Sequence, residues 1–280
     1  MRDPFLITEP TCISFSGGRT SAYMLWRVLQ SNGGLPSDAV VCFANTGKED
    51  EATLRFVRDC SVNWNVPIVW IEYRTDGDGW TAVTFETASR NGEPFEALIR
   101  KRNYLPNPVA RFCTVELKIL RIADYMWHLG HEEFDVLIGI RADEPKRVAT
   151  VRANPSGGTR GIERRMPLAD AGVTRGEVSW FWKSQPFDLD LPNVNGVTMH
   201  GNCDLCFLKH PSIVMSLIAE KPSRADWWIK QESSITNAKI KDGGTFRSDR
   251  PSYAQMLAYS QKQIDAFGHD DGIQCIGCTD

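Results

Sequence analysis

Four short segments rich in Val, Ile and Phe, at 11–15, 39–44, 67–73 and 134–140, alternate with helical patterns at 20–31, 49–64 and 114–129. No other feature constrains the fold as strongly. Short apolar runs bounded by polar turns are strands buried on both faces. Strand–helix–strand order then calls for parallel pairing, with helices packed over the sheet. In the second helical pattern Leu54, Val57, Ser61 and Trp64 fall on one face at three- and four-residue spacing. The expected class is α/β, a parallel sheet with helices on both faces. After about residue 165 the pattern changes. A helix is expected at 174–183, then an extended Pro-, Asn- and Gly-rich loop at 185–202, then helices at 211–220, 223–233 and 251–266. Residues 154–161 read as a surface loop. The organisation expected is a sheet domain over 1–184 and a mainly helical, cysteine-containing region over 185–280.

The 280 residues are 42% hydrophobic and 24% charged, with a net charge of −3. That is the composition of a soluble globular chain, with no global excess of positive charge to draw it to nucleic acid. No run of about 18 apolar residues is present, and the first residues form no apolar secretory segment, so the expected location is cytoplasmic, away from membranes. Eight cysteines in such a chain are expected as reduced thiols or metal ligands. Cys12, Cys42 and Cys60 sit inside apolar patterns and read as core residues. Cys113, Cys203, Cys206, Cys275 and Cys278 lie beside polar or glycine-containing segments, and four of them form the pairs Cys203-x-x-Cys206 and Cys275-x-x-Cys278.

Ligands of a parallel sheet bind where the strands end at their carboxyl edge. Three loops leave that edge. After the first strand comes Ser16-Gly17-Gly18-Arg19-Thr20-Ser21, where glycines let the backbone approach an anion and a helix N-terminus supplies unpaired N–H groups. After the second comes Asn45-Thr46-Gly47. After the last comes Gly139-Ile140-Arg141, followed by Lys146 and Arg147, where arginine suits bidentate contact with phosphate or sulfate. Arg111-Phe112-Cys113 leads into a helix carrying Lys118; a thiol before a helix N-terminus and beside an arginine is a good ligand or nucleophile. The two C-x-x-C pairs have the spacing for a shared metal, either a zinc tetrathiolate or an iron–sulfur cluster. His200 and His210, flanking the first pair, read as surface residues.

Taken in order, Ser16–Ser21, Asn45–Gly47, Arg111 to Lys118, Gly139 to Arg141 and Cys203/Cys206 resemble the motif series of the phosphoadenosine phosphosulfate (PAPS) reductase family, within the PP-loop (adenine nucleotide α-hydrolase) superfamily. The resemblance spans roughly residues 11–210. It implies an adenine nucleotide, ATP or PAPS/APS, held by Ser16, Gly17, Gly18, Arg19, Thr20, Ser21, Asn45, Thr46, Gly47, Gly139, Arg141 and Arg147, with Mg2+ where the nucleotide is ATP. It also implies a 4Fe-4S cluster ligated by Cys113, Cys203, Cys206 and either Cys275 or Cys278, with zinc as the alternative. Arg141, Lys118 and the tail thiols Cys275 and Cys278 are the catalytic candidates. Three departures are visible: Phe112 precedes Cys113 where the cluster-bearing branch has a second cysteine, Cys275-Ile-Gly-Cys278 replaces the reductase tail motif, and Thr20 stands where ATP-cleaving members carry Asp.

Three functions follow as expectations. The first is sulfonucleotide reduction or transfer, with a tail thiolate attacking sulfur and a thiol reductant or sulfur-donor protein as partner. The second is ATP-dependent sulfur transfer to nucleic acid, with Arg160, Arg164 and Arg165 near the backbone. The third is a zinc-stabilised nucleotide-binding module without turnover. A homo-oligomer is compatible with each.

Overall fold

The computed structural model describes residues 3–201, 203–235 and 244–268. Its elements run β1 (Thr11–Ser14), α1 (Arg19–Asn32), β2 (Ala39–Asn45), α2 (Glu51–Asn63), β3 (Ile68–Tyr73), β4 (Trp80–Val83), α3 (Glu93–Arg102) and α4 (Phe112–Thr114). A π-turn, Val115–Ile119, then leads into α5 (Leu120–His128) and β5 (Phe134–Ile138). After these come α6 (Pro145–Ala153), β6 (Ile162–Arg165), α7 (Pro167–Asp170), α8 (Arg175–Lys183), β7 (Asn193–Val194), β8 (Val197–Thr198), α9 (Pro211–Glu220), α10 (Arg224–Ser234) and α11 (Tyr253–Gly268).

The six-stranded sheet has the order β4-β3-β2-β1-β5-β6. All neighbours are parallel except β3 and β4. Alternation along the strands sorts two cores. Ile13, Val41, Phe43, Trp70 and Leu137 face α1, α2 and α8, while Cys12, Cys42, Ile71 and Val136 face α5 through Ile122, Ala123 and Met126. The α/β class expected from the alternation is therefore the observed one. Cys12, Cys42 and Cys60 are fully buried. A hydrogen bond with Cys12 and then burial push the Cys42 thiol up, and burial does the same for Cys60, so these thiols are inert packing groups.

Helix boundaries follow local chemistry. Asp50 caps α2 by accepting the Ala52 N–H at 3.0 Å. Gly33 closes α1 in the left-handed conformation at φ 67°, with its N–H on the Leu29 carbonyl. The Glu177 carboxylate holds both the N–H and the hydroxyl of Thr174 at the start of α8. The sequence reading passes over β4, α3, α6 and β6. The strands β4 and β6 have four residues each and are buried unevenly, and α6 buries only Val151, so these three carry little periodic signal, whereas α3 buries Phe95, Leu98 and Ile99 at helical spacing and was legible.

The chain divides into two compact units, one with the described residues through Lys101 plus Arg111–Asp204, the other with Arg102–Ala110 and the described residues from Leu205 onward. In this division the described residues of 185–204 group with the sheet unit. Residues 185–204 stay with the sheet for physical reasons. Leu189 and Leu191 are buried in its core, and Phe187 packs against Phe56, Trp64 and Trp182. Asp188 takes a bidentate pair from Arg19, Nε and Nη2 both at 2.7 Å. The expected extended loop therefore contains a strap ending in a β7–β8 hairpin, whose turn residues Asn195 and Gly196 both have positive φ. The second unit is built on stacked and edge-on contacts among Phe207, Trp228, Phe246 and Tyr253. There Glu232 accepts the N–H groups of Phe246 and Tyr253 at 3.3 and 2.9 Å.

If the Arg19–Asp188 pair holds the strap, Asp188→Asn should open it. Limited proteolysis should show faster cleavage within 185–201, with the melting temperature little changed. Unaltered cleavage would mean that the buried leucines suffice.

Candidate functional site

The order of the strands reverses between β1 and β5, since β2 pairs with one edge of β1 and β5 with the other. The crevice outside such a reversal is where open α/β sheets bind ligands. Here it is bounded by Ser16–Ser21 after β1 and by the Gly139–Arg141 segment after β5.

The glycine loop is built from small residues in fixed roles. Gly17 has φ 72°, and a Cβ there would stand 2.6 Å from Thr53 Cγ2 and 3.2 Å from both Phe43 and Val57, so only glycine lets the loop sit down on β2 and α2. The Ser21 hydroxyl donates to the Gly18 carbonyl at 2.9 Å and accepts the Ser16 N–H at 3.1 Å. The Ser16 and Ser21 hydroxyls are 2.9 Å apart. Ala22 is the first residue of the turn whose N–H reaches a backbone carbonyl, that of Gly18. Among the described residues, the N–H groups of Gly17, Gly18, Arg19, Thr20 and Ser21 have no intramolecular acceptor. Five donors at one helix N-terminus, with the dipole behind them, form an anion nest.

The opposite wall carries Arg141. Its Nη1 donates to Thr20 Oγ1 at 3.1 Å and its Nε to Asp143 at 2.8 Å, with Glu144 3.5 Å from Nη1. Burial opposes ionisation of Asp143 and Glu144, but the Arg141 hydrogen bonds, with Arg175 and Arg147, outweigh it and hold both carboxyls below their ordinary values. Arg147, expected at the nucleotide, is largely exposed and paired with Glu144 at 2.5 Å.

Arg19 is engaged by the strap. Its guanidinium was expected on the anion, yet it is spent on Asp188, on Thr198 Oγ1 at 2.9 Å and on the Leu191 carbonyl at 3.2 Å. The bidentate pairing wins over a solvated loop arginine, leaving its backbone N–H as what Arg19 offers the nest. The side chains of Asn45 and Thr46 are likewise occupied. Asn45 Nδ2 reaches Glu72 at 2.6 Å and the Ser89 carbonyl at 2.9 Å, while its Oδ1 accepts the Gly47 N–H.

Thr46 opens a second cluster, around Glu49. The Glu49 Oε2 accepts the Thr46 N–H at 2.9 Å, the Thr46 hydroxyl at 2.8 Å and the Lys48 N–H at 3.2 Å, and Oε1 takes Lys118 Nζ at 3.3 Å. Cys203 forms a main-chain bridge with Glu49, and its Sγ is 3.5 Å from Thr46 Oγ1. Lys48 pairs with Asp204 at 3.0 Å. Cys113 lies at the start of the helix that delivers Lys118. The sheet unit thus brings Cys203 and Lys118 against Glu49, with Cys113 on the helical turn just before the one that carries Lys118. Cys206 belongs to the second unit, and Cys275 and Cys278 lie outside the described residues. Among the described residues no three His, Cys, Asp or Glu side chains stand together as metal ligands. The thiols of the sheet unit fit part of a metal centre by their chemistry and do not by themselves complete one.

Sequence reasoning missed Glu49, Glu72 and Asp188, each a carboxylate in a segment without a motif. His200 is buried, contrary to the surface reading, while exposed His210 caps α9 by accepting the Ser212 N–H. Arg164 bonds the Asn154 and Pro155 carbonyls and Arg165 pairs with Asp135, so neither is a solvated basic residue. No helix among the described residues is long and apolar enough to cross a membrane.

No protein-family model matches the chain. The nin region protein ORF290 of Escherichia phage lambda, described as uncharacterized, is 32% identical over 207 residues, or 70% of this chain and 65% of that protein. The chain thus spans just under two thirds of the length of this relative. Among the solved structures similar to the chain are two enzymes. A PAPS reductase from Candida auris in complex with phosphate gives a TM-score of 0.40 at 12% identity, over 63% of this chain and 72% of that one. The U34-tRNA thiolase NcsA from Methanococcus maripaludis, with its 4Fe-4S cluster, gives 0.40 at 11%, over 98% and 77%.

Two outcomes test the geometry. A Cβ on Gly139 would stand 3.1 Å from Ser21 Cα and 3.3 Å from its N. Backbone cannot swing aside, so Gly139→Ala should cost about 1–3 kcal/mol in urea unfolding. Asp143 and Glu144 have folded pKa values below their unfolded ones. Their contribution is present above the ordinary carboxyl range, about pH 4, and is lost as pH falls through the lower folded values. The double variant Asp143→Asn/Glu144→Gln should therefore flatten the acid limb of a stability–pH curve and leave its neutral region shallow.

Proposed function

We propose that the sheet unit binds an adenine nucleotide at the β1/β5 crevice, as in the PP-loop superfamily, and that the chain is an enzyme of sulfur chemistry resembling the PAPS reductase family. The observation that carries the reading is the row of five acceptor-less N–H groups from Gly17 to Ser21 facing a strand reversal. The row is a preorganised site for the phosphate or sulfate end of the nucleotide. Arg141, tied to Thr20 and paired with Asp143 and Glu144, places a guanidinium beside it. Asn45 and Thr46 act as buried supports of the second loop. Gly47, at φ 75° with a Cβ position 3.0 Å from Gly92, keeps that loop against its neighbour.

The reaction proposed is sulfonucleotide reduction or sulfur transfer with a cysteine-ligated metal centre. Cys113 and Cys203 would supply thiolates from the sheet unit, and such a centre, when bound, holds or activates sulfur. The protein's own residues bind and orient: the nest holds the anion, Arg141 neutralises it, and Lys118 places an ammonium beside the Cys203 segment. The partners proposed with it are a thiol reductant or a sulfur-donor protein.

Isothermal titration with ATP, APS and PAPS, followed by assays for pyrophosphate and sulfite, tests the reading and chooses the substrate. Arg141→Ala should weaken nucleotide binding by about 10–100-fold, as for loss of a charge-assisted contact. Cys113→Ala and Cys203→Ala should abolish turnover while leaving nucleotide affinity in place. Absence of binding by all three nucleotides would sink the proposal. Anaerobic purification with a visible spectrum and metal analysis separates an iron–sulfur centre from zinc.

A further inference from the structure

We infer that Glu49 is a positioning residue of this site, its carboxylate fixing the Lys118 ammonium and the Thr46–Cys203 contact as one unit at the carboxyl end of β2. The inference rests on the reading above that Lys118 and Cys203 take part in the chemistry.

The Glu49 side chain is 1% exposed. Its two oxygens divide their work, Oε2 taking the three donors of the Thr46–Lys48 turn and Oε1 taking Lys118 Nζ. Because the Thr46 hydroxyl gives its hydrogen to Glu49 at 2.8 Å, its oxygen is an acceptor toward Cys203 Sγ at 3.5 Å. The main-chain bridge between Glu49 and Cys203, and the Asp204 N–H on the Lys48 carbonyl at 2.7 Å, fix the same two segments through backbone. Lys118 arrives on the π-turn Val115–Ile119, which packs against β2; such turns shift a side chain off the α-helical register.

Stability does not require this arrangement. A buried ion pair often does no better than well-packed apolar residues of the same volume. What an apolar residue cannot do is hold an ammonium and a hydroxyl in fixed directions at once. Both Glu49 oxygens are taken by these protein donors, so its effect reaches the chemistry through Lys118 and Cys203.

The test is site-resolved iodoacetamide labelling of the full chain, with and without a metal chelator, read peptide by peptide, together with ATP titration. Cys12, Cys42 and Cys60 are fully buried and report folding. Glu49→Gln keeps the size and removes the charge. It should raise Cys203 labelling by about fivefold, as for loss of one hydrogen bond, while the three core thiols stay protected. It should also weaken ATP to the level of Lys118→Met, and the double variant should be no weaker than either single one. Glu49→Asp should recover part of both effects. Cys203 labelling within about twofold of the parent, with the core thiols protected, would overturn the inference. If Glu49→Gln unfolds and labels Cys12, Cys42 and Cys60, Thr46→Val decides, because it removes only the hydroxyl; unchanged Cys203 labelling there overturns the inference as well. A parent chain that binds no nucleotide defeats the nucleotide reading alone, and the labelling arm still decides Glu49.

Discussion

The backbone of Ser21 lies 3.1 Å from where a Cβ on Gly139 would stand, and the carboxyl edge of the sheet is organised around that contact. Because nothing projects from Gly139, the end of β5 can close against the first turn of α1 at the point where the strand order reverses. The first turn of α1 is thereby fixed with its N–H groups turned out of the fold, and Arg141, two residues beyond Gly139, comes within hydrogen-bond distance of Thr20. A methyl group at 139 would separate the two walls, and the nest would lose its cation.

Around this contact, carboxylates act as spacers. Asp188 holds the strap to Arg19, Glu72 holds Asn45 and Ser89 together, Glu49 holds Thr46 and Lys118, and Asp143 with Glu144 hold Arg141. Each is hydrogen-bonded on its available oxygens, the condition under which burying a charge is tolerable. The polar layer at the sheet's edge is therefore as specific as the apolar layers below it.

Much of this was legible in the chain. Alternating Val/Ile/Phe runs and amphipathic helices carried the parallel sheet because their periods are long and uninterrupted. The three edge loops followed from where the strands end. The glycines at 17 and 139 stand where the motifs place them, and the structure adds the physical reason, a positive φ at one and a close backbone approach at the other. The Asp188–Arg19, Glu72–Ser89 and Glu49–Lys118 contacts were not legible, because they pair residues 17 to 169 positions apart without any local pattern. For the same reason Arg19 reads from sequence as a ligand and folds as a tie. The strap escaped detection because its two hairpin strands have two residues each, too few to show alternation.

The occupation of Arg19 by Asp188 changes the kind of site the glycine loop is. With its own guanidinium neutralised, the loop addresses an anion through uncharged amide dipoles, which weaken steeply with distance and angle. Dipoles of this kind act at contact and add little long-range steering, so any attraction from solution must come from charged groups elsewhere on the edge.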